Sequence, residues 1–116
     1  MLLDHLWTTN LALRRRFPAG VDPFKIISRL AEECGELSAE VQLWENQGVK
    51  RAKHGEPDAQ RLAKEVMDVM RAALAVAEYY HVERELSEAI RGSIERAVSG
   101  GLLTPDEAEQ PASGRA

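Results

Sequence analysis

Asp22-Pro23 opens a stretch that reads as one long helix, and its internal pattern constrains what the rest of the chain can become. Asp22 offers an N-cap oxygen, and Pro23 needs no backbone donor at the first helical position. Gly48 supplies a stop, so the spacing predicts a helix to about Gln47, roughly 37 Å long at 1.5 Å per residue. On it Ile27, Leu30, Cys34, Leu37, Val41 and Trp44 form an apolar stripe, with Glu33, Glu36 and Glu40 along its flank and Glu32 beyond them. A solvated face would intersperse Lys or Arg one turn away to relieve like-charge repulsion, and apart from Arg29 this one does not. The acidic flank therefore reads as missing a cation. Gly35, costing about 1 kcal/mol relative to Ala inside a helix, suggests either a close approach by another backbone or a ligand, or a plain packing reason.

A second carboxylate pair, Glu65 and Asp68, lies three residues apart on another apolar segment. Antiparallel packing of the two segments would converge four or five carboxylates, which in outline is a hard-cation site. Pro57 and Asp58 open this segment, with Leu62, Val66, Val69, Met70, Ala73, Val76, Ala77 and Tyr80 as its expected core stripe. Met67 and Leu74 face elsewhere, which points to a subunit interface. Between the two acidic helices, residues 48–57 form a basic connection in which Lys50, Arg51, Lys53 or His54 could fold over an anionic phosphate, or remain a solvated loop.

The remaining segments are also helical in pattern. Residues 2–17 carry Leu2, Leu3, Leu6, Trp7, Leu11 and Leu13 at amphipathic spacing, closed by Pro18-Ala19-Gly20. Arg14, Arg15 and Arg16 suit the negative end of that helix's dipole. From Glu83 to Ser99, Leu86, Ile90, Ile94 and Val98 recur at near-heptad spacing before Gly100-Gly101. Aromatic residues make up 5% of the chain, leaving little material for strands, so the expected fold is an all-α four-helix bundle over residues 1–103. Residues 104–116 have the composition of a disordered tail.

At 116 residues the chain can bury a real core but no deep cavity of its own, so a site would lie between helices or subunits. A net charge of −4 argues against coating a nucleic-acid polymer, though not against a small phosphorylated ligand carried by a metal. No apolar run approaches the ~20 residues that span a bilayer, and the N-terminal apolar residues precede the arginines, the wrong order for a signal peptide. Cys34 is the single cysteine, expected as a small core residue, and a reducing cytoplasm fits.

Glu32-Glu33-Cys34-Gly35-Glu36-Leu37, followed after 28 residues by Glu65-Val66-Met67-Asp68-Val69, resembles the EExxE…ExxD signature of the all-α, MazG-like nucleoside triphosphate pyrophosphohydrolases, which include dimeric dUTPases and dCTP pyrophosphatases. The resemblance spans roughly residues 22–98. It implies a bundle completed as a homodimer or homotetramer, with Mg²⁺ (Mn²⁺ as a substitute) bound by Glu33, Glu36, Glu65 and Asp68. It implies hydrolysis of a nucleoside triphosphate to the monophosphate and pyrophosphate by water attacking the α-phosphorus. Glu32 matches the first glutamate of the signature, as a further ligand or as the group that orients or deprotonates that water. Many members carry Lys and Asn in a K-x-x-x-N pattern on the last helix; here Ser93 and Ala97 stand there, leaving Arg91, Arg96 or the basic 50–54 loop to contact phosphate.

Trp44 and Trp7 are the aromatic candidates for stacking on a base, with core packing as their alternative role. A carboxylate-bridged di-iron bundle would need two Glu-x-x-His motifs, and Glu78-Tyr79-Tyr80-His81 has no second copy. A non-catalytic oligomerisation or nucleotide-binding module that keeps the metal site is the other reading consistent with Ser93 and Ala97.

Overall fold

A computed structural model describes residues 2–45 and 56–110. Five α-helices account for most of them: α1 (Leu2–Arg16), α2 (Pro23–Trp44), α3 (Ala59–Tyr79), α4 (Glu83–Ser99) and the short α5 (Pro105–Glu109), with a 3₁₀ turn over Pro18–Gly20. No strand occurs among the described residues. The chain divides between Tyr80 and His81 into two compact units. The first holds α1, the 3₁₀ turn, α2 and α3; the second holds α4 and α5.

Both acidic helices begin with aspartate caps, the first at the Asp22 its sequence advertises. The Asp22 carboxylate accepts from the backbone N–H groups of Phe24 (2.9 Å) and Lys25 (3.0 Å), and that of Asp58 from Gln60 (2.8 Å) and Arg61 (3.4 Å). Each cap satisfies donors that an α-helix leaves unpaired at its start. Asp22→Ala should therefore lower stability by about 1 kcal/mol, read as a fall in the urea midpoint with an unchanged slope.

In the first unit α2 and α3 pack antiparallel, with Glu40 near the end of α2 meeting Arg61 near the start of α3, while α1 lies against α3. The buried apolar residues are Leu43, Ala72, Leu74 and Ala77. Buried with them are Asn10, Glu40, Glu65, Asp68 and Glu78, so this interior is as much a polar network as a hydrophobic core. Each helix is rotated from the expected orientation. On α2, Glu40 and Leu43 face inward while Ile27, Val41 and Trp44 remain exposed, and Cys34 is exposed rather than a core residue. On α3, Val66, Met70 and Tyr80 are exposed, and Leu74, expected at a subunit interface, is buried within its own chain; Met67 stays exposed. The physical reason is charge pairing: turning the acidic flank inward brings Glu40 to Arg61 of α3, a pair that an inward apolar stripe would have kept apart.

In the second unit Leu86, Ile94 and Val98 are half-buried and Ile90 is exposed. The last turn of α4 closes through Gly101 at φ +77°, a left-handed conformation suited to glycine, and the N–H groups of Leu102 and Leu103 both reach the Ala97 carbonyl. Composition alone suggested a structureless tail from Thr104. Pro105–Glu109 instead form a helical turn with a reciprocal capping box: Glu107 N–H donates to Thr104 Oγ1 (3.2 Å) and Thr104 N–H to Glu107 Oε1 (2.9 Å). These bonds hold the Glu107 carboxyl below its ordinary range.

Candidate metal centre

Residues three apart on a helix share a face, so Glu65 and Asp68 present their carboxylates side by side from α3. Antiparallel packing sets Glu33 of α2 opposite them. One carboxylate oxygen from each of the three lies within 4.8 Å of the others. Glu65 and Asp68 are buried and Glu33 is half-buried.

Three carboxylates at such spacing repel one another unless cations intervene, and α3 supplies two. Lys64 Nζ stands 2.9 Å from Asp68 Oδ2 and 3.8 Å from a Glu65 oxygen, while Arg71 Nη2 donates to Asp68 Oδ1 at 3.0 Å. Burial by itself would raise the Asp68 pKa, but the hydrogen bonds from Lys64 and Arg71, with their charges, overturn it and hold the carboxyl below its usual range. Glu33 goes the other way: burial first, then the charges of Asp68 and Glu65, raise its pKa. Glu65 Oε2 is buried with no hydrogen-bond partner. An orphaned anionic oxygen beside two further carboxylates is what a hard cation would satisfy, so the donor set fits a divalent ion that prefers oxygen.

The other residues singled out from the sequence are spread more widely. Glu32 and Glu36 are exposed on α2 and stand outside the trio. Glu40 is fully buried, accepting from Arg61 Nε at 2.8 Å. The cation that the acidic flank lacked is thus partly in the sequence, one helix away, as Arg61, Lys64 and Arg71. Lys50, Arg51, Lys53 and His54 lie outside the described residues. Arg91 is exposed on α4 in the second unit, and the Ser93 hydroxyl donates to the Ile90 carbonyl of its own helix at 2.7 Å. Trp7 is half-buried and Trp44 exposed. Glu78, the one iron-ligand candidate with a His three residues on, is engaged instead by Arg14 and by Asn10, whose Nδ2 donates to Glu78 Oε1 at 2.9 Å.

Beside the trio, in the first unit, is a cavity of about 300 Å³. Glu33, Asp68 and Arg71 form one part of its wall, Arg29, Arg14, Asn10 and Glu78 another, and Phe17, Ile26 and Tyr79 are among its apolar lining. The aromatic residues at this cavity are Phe17 and Tyr79, not the two tryptophans. Asn10 Nδ2 also donates to the Arg71 carbonyl at 3.0 Å, fastening α1 to α3 at the residue that borders both trio and cavity. Lys64 and Arg71 were legible in principle, since they stand four before and three after Asp68; Asn10 carried no such signal.

No family model, no curated protein and no solved structure matches this chain. No helix among the described residues is long and apolar enough to cross a membrane.

Proposed function

We propose that this chain is a Mg²⁺-dependent nucleoside triphosphate pyrophosphohydrolase, acting in the cytoplasm and releasing pyrophosphate and a nucleoside monophosphate. The observation that carries the reading is the trio of Glu33, Glu65 and Asp68, with its buried and unpartnered Glu65 oxygen, on the wall of a cavity that also presents arginines. The motif spacing described above supports it. Glu33, Glu65 and Asp68 would hold the ion. When bound, a divalent cation neutralises phosphate charge and lowers the pKa of a coordinated water.

The chain's own residues supply the rest. Glu36, one turn on from Glu33, stays on the wet side of the trio, where a carboxylate can accept the proton of an attacking water. Glu32 sits about 100° around the helix from Glu33, a poorer position for the same task. The cavity wall carries arginines that give it a positive component suited to a polyphosphate. The exposed Phe24, Ile27, Val41 and Trp44 of α2 and Val66, Met67 and Met70 of α3 support a homodimer or homotetramer as the working form.

A second reading, a metal- or nucleotide-binding module without turnover, is favoured by one observation: the Ser93 hydroxyl is spent on its own helix. Pyrophosphate release from a panel of ribo-, deoxyribo- and modified triphosphates, with Mg²⁺, Mn²⁺ or chelator, separates the two. Metal-dependent release that Glu36→Gln removes supports the enzyme. Binding of metal and nucleotide with no release supports the module.

Metal binding should also set a pH dependence. Because the folded protein raises the Glu33 pKa above its ordinary 4.5, the metal-free form gains stability from this group below that value and loses it as pH rises through the raised one. A bound cation favours the ionised form and reverses the sign. Mg²⁺ should therefore raise the thermal midpoint more at about pH 7.5 than at about pH 5, the full effect of a hundredfold excess over Kd being ~2.7 kcal/mol of stability. An Mg²⁺-induced shift independent of pH would count against Glu33 as a ligand.

A further inference from the structure

We infer that Arg71 and Arg29 are the groups that hold phosphate in the cavity beside the carboxylate trio. This assignment rests on the reading of the trio as a metal centre, but its evidence is separate. Three arginines line the cavity, and they are not equivalent. Arg14 is paired with Glu78, which Asn10 also contacts, so that group is a closed structural clamp between α1 and α3. Arg71 spends Nη2 on Asp68, yet its Nε is buried with no acceptor among the described residues. Arg29 lies one turn before Glu33, the spacing at which an ion pair is available, and makes no ion pair or hydrogen bond among the described residues. Two guanidinium groups with unused donors thus border a single cavity next to Glu33 and Asp68.

A guanidinium donor buried without an acceptor points to an anion that arrives from outside the chain. The charge balance selects phosphate. Around the trio, three carboxylates face two cations, Lys64 and Arg71, one net negative charge that would repel any anion. A divalent ion turns this into one net positive charge, and phosphate oxygens serve both a hard cation and the planar fork of arginine. The Asn10 bond to the Arg71 carbonyl fixes the backbone from which that side chain extends.

The test is calorimetric titration of inorganic pyrophosphate into the full chain, at fixed free Mg²⁺ and again in chelator, for wild type, Arg29→Gln, Arg71→Gln and Arg15→Gln. Mn²⁺ binding without phosphate is measured on each by electron paramagnetic resonance, and helix content by circular dichroism. Arg29→Gln and Arg71→Gln should each weaken pyrophosphate binding about tenfold or more, while Arg15→Gln, outside the cavity wall, leaves it unchanged. Arg29 is exposed, so its substitution leaves folding intact and keeps the result readable if Arg71→Gln disturbs Asp68. Pyrophosphate affinity within about twofold of wild type in both variants, with Mn²⁺ still bound, overturns the inference. Absence of Mn²⁺ binding in wild type sinks the metal centre instead, and with it the charge balance that selects phosphate.

Discussion

Asp68→Asn is expected to abolish metal-dependent pyrophosphate release while leaving the helices in place. Asp68 is 5% exposed and belongs to the trio, and Asn keeps its shape while removing the charge. Losing a residue that merely orients a ligand costs metal affinity or activity about 10–100-fold, so losing a ligand should exceed about 100-fold. The metal-free fold should tolerate the change. Glu33 loses one of the two carboxylate charges that raise its pKa and moves back toward the ordinary carboxylate range. Lys64, which is largely exposed, loses only a screened partner. One acid-range effect should disappear: the lowered Asp68 pKa contributes stability that is present above its ordinary 3.8 and is lost as pH falls through the depressed value. The variant would lack that part of the acid transition. Retention of release within about tenfold of wild type would remove Asp68 from the metal set.

The largest expected loss of stability is at the other end of the α2–α3 pair. Arg61→Ala strips the guanidinium from Glu40, whose side chain is 0% exposed, and also removes the Nη2 bond to the Glu56 carbonyl at 3.1 Å. Breaking a buried ion pair by deleting one partner costs about 3–5 kcal/mol, because the remaining charge stays desolvated. Arg61 is itself partly exposed, so the lower end applies: about 3 kcal/mol, or a fall of roughly 1–3 M in the urea midpoint. Replacing both members tests the cause. Glu40→Leu with Arg61→Leu removes both charges of this pair and should recover most of the loss, since buried pairs exchanged for apolar residues are often neutral. A double variant as unstable as Arg61→Ala would show that the cost lies in packing.

Local features were read directly from the chain. The caps at Asp22 and Asp58 and the helical runs that follow depend on contacts within a few residues, and so did the pairing of Glu65 with Asp68 on one face. Orientation was not legible. The stripe of Ile27, Cys34, Val41 and Trp44 and the flank of Glu33 and Glu40 are adjacent strips of the same cylinder, and periodicity of 3.6 says which residues share a strip, not which strip turns inward. Ordinary hydrophobic weighting favoured the apolar strip; Arg61 of α3 favoured the acidic one through Glu40, and that pair acts across the interface.

The same distinction separates the motif from the site. Glu32, Glu33, Glu36, Glu65 and Asp68 were all candidates by spacing, yet three oxygens meet within 4.8 Å, from Glu33, Glu65 and Asp68. Membership depends on helix rotation and on the register of α2 against α3, both products of side-chain packing between distant parts of the chain. Asn10 and Arg71, whose contacts span 61 residues, belong to the same class. By itself the sequence determined the helices, their caps and the carboxylates available to them, because these follow from neighbours along the chain. Only the tertiary structure decided which carboxylates converge, which cations answer them and where a cavity opens beside them, because burial and Coulomb interaction act through space.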